Sequence, residues 1–173
     1  MDDYGGLTTI LVVVASVAFL GAIAWQARPK TVSTDDLRGV EVAIAAASHT
    51  TDPAALIIPE GDPPAGGPHF PTPLRSGKYA DPVQDGNAIH SLEHGMVWIT
   101  YNRDKITPED LKTLEGIQSD HSRDVILSPR PENQTTIGVV SWGRLLRLDK
   151  ADKKAISDFV SVNRDRSPEP GVR

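Results

Sequence analysis

The sequence predicts an α+β fold: a single N-terminal transmembrane helix followed by a small domain. The first observation is an uncharged apolar segment, residues 7–25. The second is the order of the later patterns, in which β-branched segments and amphipathic segments follow one another as β-α-β-β-β-α. This order predicts a small mixed or antiparallel sheet with helices on one face. A long loop rich in Pro and Gly precedes it.

Composition excludes several classes of protein. The chain has 173 residues, enough for one domain plus an appendage, and a formal net charge of −5. Its basic residues are scattered, whereas a nucleic-acid-binding protein shows a basic stripe, so we expect no nucleic-acid partner. Because the chain has no cysteine, it has no disulfides, no Cys-ligated iron–sulfur cluster and no thiolate metal site.

The apolar segment at 7–25 has the length of a membrane span. A helix rises about 1.5 Å per residue, so these residues cover a hydrocarbon core of roughly 30 Å. Tyr4 and Trp25 bracket the segment where interfacial aromatic residues occur. The segment is longer than the apolar region of a signal peptide, and no basic residue precedes it, which favours an uncleaved anchor. We therefore expect a single-pass protein of the inner or plasma membrane.

Small residues along this segment give it one smooth face for packing on other transmembrane helices. They are Ala15, Ser16, Ala18, Gly21 and Ala22. Small residues are also common in membrane helices in general, so the face is equally consistent with no helical partner.

The patterns divide the chain into four segments. These are a transmembrane anchor (1–29), a juxtamembrane linker and helix (30–58), a soluble α+β domain with a His-containing loop (59–166) and a flexible tail (167–173). Helical spacing of Val40, Ile44 and Ala47 after the capping residue Thr34 predicts a helix that ends near His49.

Within the domain, prolines and glycines predict a loop over residues 59–82. The remaining elements are strands at 96–101, 125–127, 136–142 and 145–148, and helices that begin at Thr107 and Asp149.

A cluster of potential metal ligands lies around residues 89–96. His90 and His94 are four residues apart with Glu93 between them, so one helical turn places both imidazoles on one face. His69, in the proline-rich loop, is a candidate third ligand. Glu93 is a further ligand or orients a histidine, and Met96 offers a thioether that favours copper over zinc. The expected cofactor is thus a copper or zinc ion, with no organic cofactor.

Two other interpretations remain open. Residues 90–94 match the H-x-x-E-H pattern of a metalloprotease family, but Gly86 and Gly95 leave room for little more than one helical turn, so we do not expect an enzyme. Alternatively, the histidines stabilise a turn by hydrogen bonds to backbone carbonyls and bind no metal. His49 and His121 are expected to be ordinary surface residues.

Several motifs together resemble a bacterial family, domain of unknown function 3105. They are Pro63-Pro64-Ala65-Gly66-Gly67-Pro68-His69, Gly77-Lys78-Tyr79, His90-Ser91-Leu92-Glu93-His94-Gly95-Met96-Val97, Tyr101 and Ser141-Trp142-Gly143-Arg144. The likeness covers about residues 60–165. Ala65 and Gly66 replace the usual Thr and Ser.

The resemblance implies a membrane-tethered domain outside the cytoplasm, in the periplasm. The flanking charges weakly indicate the opposite orientation, since Arg28 and Lys30 follow the span and Asp2 and Asp3 precede it. The resemblance supplies no activity. We therefore expect a membrane-anchored domain that binds a transition metal for delivery or sensing; the alternative is a non-catalytic accessory subunit of a larger membrane complex.

Overall fold

A six-stranded mixed sheet is the centre of the part of the chain that the structure, a computed structural model, describes: residues 38–171. In chain order the elements are β1 (Val40–Glu41), β2 (Ser48–His49), β3 (Pro68–His69), β4 (Gly77–Lys78), α1 (Asp85–Glu93), β5 (Val97–Tyr101), α2 (Pro108–Asp120), β6 (Val125–Pro129), β7 (Ile137–Ser141), β8 (Arg144–Leu148) and α3 (Lys153–Asn163). The predicted membrane segment lies outside these residues. No helix within them combines the length and apolar character that a membrane crossing requires.

The strand order in the sheet is β1-β8-β7-β5-β6-β4. Strand β6 runs parallel to both β5 and β4, and the other pairs are antiparallel. A separate two-stranded parallel ladder joins β2 to β3. The mixed sheet and the α+β class were both predicted.

Helices cover both faces of the sheet, so the expectation of helices on one face was wrong. Side chains alternate along β5: Val97 and Ile99 pack in the core under α2 and α3, whereas Trp98 packs in the core under α1. The sequence did not indicate a helix on the second face, because the segment that forms α1 was expected to make little more than one helical turn.

The predicted strands from residue 96 onward are all present, as is α2. Thr107 caps α2 by accepting a hydrogen bond from the amide of Asp110 at 3.1 Å, and Pro108 occupies the first turn. Helix α3 starts later than expected. Its cap is Asp152 rather than Asp149, because the Asp152 side chain accepts from the amide of Ala155.

The helix predicted up to His49 is not formed in the described residues 38–49, which contain the short strands β1 and β2 and irregular chain between them. Val40 pairs with Leu145 of β8, and the amide of Val42 donates to the carbonyl of Gly143 at 3.0 Å. Sheet pairing therefore takes the backbone groups that a helix would have used. The side chain of Ile44 packs on the core under α1 from this segment.

Helix α1 is longer than the single turn that the glycines indicated. It begins at Asp85, whose carboxylate receives a two-pronged ion pair from the buried Arg130, with N···O distances of 2.9 and 3.2 Å. It ends at Glu93, and Gly95, with a φ of +89°, turns the chain into β5. The irregular loop expected over 59–82 is present and includes the short strands β3 and β4.

Phe159 anchors α3 to the sheet and has no exposed surface. We expect Phe159→Ala to lower the free energy of unfolding by about 3–5 kcal/mol, because the change removes buried contacts and leaves a cavity. Chemical denaturation followed by circular dichroism measures this loss.

Lys154→Ala, on the exposed side of the same helix, is the matched control. It breaks only a surface ion pair with Asp158, so its unfolding midpoint should remain close to wild type. Equal losses for the two variants would contradict the assigned packing of α3.

Candidate metal centre

The ladder between β2 and β3 places two histidines side by side. His49 is the register partner of His69, and the amide of Thr50 donates to the carbonyl of His69 at 2.8 Å. Directly paired residues of adjacent strands point to the same face. The two ring centroids are accordingly 4.9 Å apart.

Helix α1 supplies the other two side chains. His90 and Glu93 are three residues apart and share one face of the helix. The loop docks on this helix where Gly86 has no side chain: a Cβ there would lie 2.7 Å from the ring of Phe70. The amide of Phe70 also donates to the carbonyl of Gly86 at 3.1 Å. The loop and the helix are thereby fixed against each other, and His69 is fixed next to His90.

Together these residues form a histidine–glutamate cluster: His49, His69, His90 and Glu93. One ligand atom from each lies within 4.8 Å of the ligand atoms of the other three. His69, His90 and Glu93 are buried, with exposed fractions of 1%, 5% and 7%. His49 is exposed, so the cluster has one side open to solvent.

Backbone carbonyls of the loop fix the tautomers of the two buried histidines. Nδ1 of His69 is 2.9 Å from the carbonyl oxygen of Gly67, and Nδ1 of His90 is 2.7 Å from that of Phe70. A carbonyl oxygen only accepts, so each Nδ1 carries the hydrogen. In the neutral ring, Nε2 then has a free lone pair. Metal-ligating histidines have this same arrangement, with the second ring nitrogen donating to a carbonyl or carboxylate.

The free Nε2 of His69 faces the carboxylate of Glu93. Nε2 and Oε2 are 3.0 Å apart, yet they are not in hydrogen-bond geometry, and Nε2 is buried without a hydrogen-bond partner among the described residues. A lone pair and a carboxylate oxygen at this distance repel each other unless a metal ion or a proton lies between them. The pair is therefore a position that could hold a metal ion, and with His69 protonated it is a buried ion pair.

His90 is held in the neutral, metal-binding form. Burial lowers its pKa most, because it disfavours the charged ring. The neighbouring imidazoles of His69, His94 and His49 lower this pKa further, and the hydrogen bond to Phe70 opposes the shift. At neutral pH the ring is thus uncharged, with Nε2 available as a ligand.

Of the predicted ligands, His69, His90 and Glu93 are brought together, and His94 is not among the four residues of the cluster. His94 is the C-cap of α1, where the chain leaves the helix, and its ring lies beside His90 at a centroid distance of 4.7 Å. Met96 packs in the core under α1. The sequence analysis missed His49, because it assigned the residue to a helix and to the ordinary surface.

Chemically, the cluster offers three imidazole nitrogens and one carboxylate oxygen. These donors bind Zn²⁺ at about 2.0–2.2 Å, so ligands of one tetrahedral ion lie about 3.3–3.5 Å apart. The ligand atoms lie up to 4.8 Å apart, so they would have to move closer together to reach that geometry. Glu93 would compensate part of the charge of a divalent ion bound there.

A model of the family described as Protein of unknown function (DUF3105) matches residues 57–173. This range contains His69, His90 and Glu93, and it begins after His49. No curated protein and no solved structure matches the chain. Because the match covers more than half of the sequence, the chain belongs to the family of proteins of unknown function DUF3105.

Proposed function

We propose that this protein binds a divalent transition-metal ion through the histidine–glutamate cluster. The observation that carries the proposal is the contact between Nε2 of His69 and the Glu93 carboxylate, 3.0 Å apart and without a hydrogen bond. Both groups are almost fully buried, and burying such a pair without a shared cation is costly. A metal ion placed between them converts this repulsion into two coordination bonds.

Hydrogen bonds within the protein account for only one ring nitrogen of each of the two buried histidines. Hydrogen bonds to the carbonyls of Gly67 and Phe70 satisfy Nδ1 of His69 and of His90. They leave Nε2 of each ring without this contact, and Nε2 of His69 faces a carboxylate oxygen of Glu93, which is itself an acceptor. A histidine cluster that only stabilises the fold does not need several acceptor atoms around one point, whereas a metal site does.

The choice of metal follows from the donors. The expected preference for copper depended on the Met96 thioether, and Met96 packs in the core under α1. Three imidazoles and a carboxylate suit Zn²⁺, Cu²⁺, Ni²⁺ and Fe²⁺. Cu²⁺ binds tightest among these ions at almost any nitrogen and oxygen site, so affinity alone does not identify the native ion. The proposal is therefore a divalent ion of this group, with zinc and copper(II) as the ions to test first.

The cellular role that fits this site is metal delivery or sensing at a membrane. The apolar segment 7–25 would tether the domain, and the family resemblance favours an extracytoplasmic position. Exposed His49 supports exchange of the ion with solvent or with a partner, because a ligand at the open side can dissociate first. This role, the tether and the orientation are parts of the proposal.

Metal content tests the proposal directly. Purified full-length chain, dialysed against excess Zn²⁺ or Cu²⁺ and then against buffer, should retain one ion per chain by inductively coupled plasma mass spectrometry. The double variant His69→Ala/His90→Ala should retain none, because it removes two of four ligands. His49→Ala should weaken retention less, since its ligand is exposed.

His121→Ala is the matched control, because His121 lies at the end of α2 and outside the cluster. It should retain the wild-type metal content. If wild type binds no stoichiometric ion, or if the double variant and the control bind equally, the proposal is wrong.

Gly86→Ala tests whether docking of the loop positions the ligands. The new Cβ would lie 2.7 Å from the Phe70 ring, so it should displace Phe70, whose carbonyl orients His90. We expect zinc affinity, measured by competition with a chelating dye, to fall by about tenfold, the effect typical of lost outer-shell partners.

Gly116→Ala is the comparison within α2, where a Cβ meets no atom within 4 Å. This change should leave zinc affinity unchanged and raise the free energy of unfolding by about 1 kcal/mol through helix propensity. An unchanged zinc affinity in Gly86→Ala would contradict the role given to the docked loop.

A further inference from the structure

A second site lies beside the histidine–glutamate cluster, on the far side of His90. It is a cavity of about 520 Å³ between residues 73–76 of the loop, the end of α1, the start of β5 and the turn before β6. His94 forms part of its wall, and the His94 ring is 4.7 Å from that of His90. Its volume is in the range of small-molecule sites.

The loop wall of the cavity is fixed before any ligand arrives. The hydroxyl of Ser91 accepts a hydrogen bond from the amide of Leu74 at 2.8 Å and lies 3.1 Å from the Leu74 carbonyl. Ser91 itself is fully buried in α1. Leu74 and Met96 therefore present a preformed apolar surface, and a ligand does not have to order this part of the loop.

Two arginines give the cavity a positive charge. Arg75 and Arg123 both line it, and neither forms an ion pair with another residue in the range 38–171. Arg130 and Arg147, in contrast, pair with carboxylates elsewhere on the domain. Two unpaired guanidinium groups at one cavity of a chain with net charge −5 indicate an anionic ligand.

His94 is the independent observation that points to a ligand. It is only 7% exposed, and its Nδ1 is buried without a hydrogen bond among the described residues. Oε2 of Glu169 is 3.8 Å away, within ion-pair range if the ring is protonated but beyond hydrogen-bond distance. Buried polar atoms are nearly always satisfied, so an unsatisfied one on a residue that lines a cavity indicates room for a ligand or a bound water.

From these features we propose that the cavity binds a small organic anion with a short apolar body. Its carboxylate or phosphate accepts hydrogen bonds from Arg75 and Arg123, and His94 contacts its polar end. Its apolar part packs on Leu74 and Met96. The inference does not rest on the metal proposal, because no nitrogen of His94 belongs to the histidine–glutamate cluster.

Because the chain has only two methionines, ligand binding in the cavity can be followed through a single methyl signal. The sequence has two methionines, Met1 and Met96, so ¹³C-methyl-methionine labelling of the full-length chain gives one signal from the cavity wall. Benzoate is the probe, benzyl alcohol lacks its charge, and acetate lacks its apolar body. The titrations are run on metal-free and zinc-loaded protein in an uncharged detergent.

Benzoate should shift the Met96 methyl signal saturably in the metal-free protein. Benzyl alcohol and acetate should each bind at least about tenfold more weakly, the loss expected when a charge-assisted contact or the apolar contact is removed. Arg75→Gln/Arg123→Gln should weaken benzoate binding by a similar factor. Both arginines are exposed, so the variant should fold, and an unchanged Met96 signal in its ligand-free form verifies this.

Arg103→Gln is the control for loss of an exposed arginine elsewhere, because Arg103 lies outside the cavity and pairs with Asp81. It should bind benzoate as wild type does. The inference is overturned if benzoate leaves the Met96 signal unmoved, if benzyl alcohol binds equally well, or if the double variant binds with wild-type affinity. Saturable benzoate binding by a protein that retains no metal would uphold this inference while contradicting the metal proposal.

Discussion

Two hydrogen bonds from imidazoles to loop carbonyls determine what the rest of this site can do. Gly67 and Phe70 accept from Nδ1 of His69 and of His90, and this fixes the orientation of both rings, with Nε2 of His69 facing Glu93 at 3.0 Å. Each bond alone contributes only about 1 kcal/mol to stability. Their larger effect is orientation. They fix two imidazole rings from separate elements so that each ring offers one nitrogen to the same cluster.

The surrounding fold holds these two carbonyls in place. Parallel pairing of β2 with β3 sets the position of the loop, and the missing side chain of Gly86 lets Phe70 approach α1 closely. The ion pair between Asp85 and the buried Arg130 fixes the start of that helix on the sheet. The cluster and the neighbouring cavity therefore share α1, with His90 on the cluster side and His94 on the cavity side.

Local sequence signals predicted the elements that depend on local chemistry. The β-branched run at 97–101 and the Thr107 cap with Pro108 each specify one structure, and each was confirmed. The segment before residue 50 was mispredicted because Val40 and Ile44 fit a helical period as well as an extended chain, and pairing with β8 decides between them. His49 was missed for the same reason: its place beside His69 comes from a strand register that only the tertiary structure defines. His94 caps the end of α1, and Met96 follows the turn at Gly95, so ligand spacing alone does not reveal where either side chain packs.

The most direct measurement of the central claim is the tautomer of each imidazole. Long-range ¹H–¹⁵N correlation spectra of the ¹⁵N-histidine-labelled chain resolve the nitrogens of its five histidines, and single His→Gln variants assign them. At neutral pH we predict uncharged Nδ1–H tautomers for His69 and His90, and a change at their Nε2 atoms when one equivalent of Zn²⁺ is added. Nε2–H tautomers for both rings, or Nε2 signals that Zn²⁺ leaves unchanged, would contradict the account.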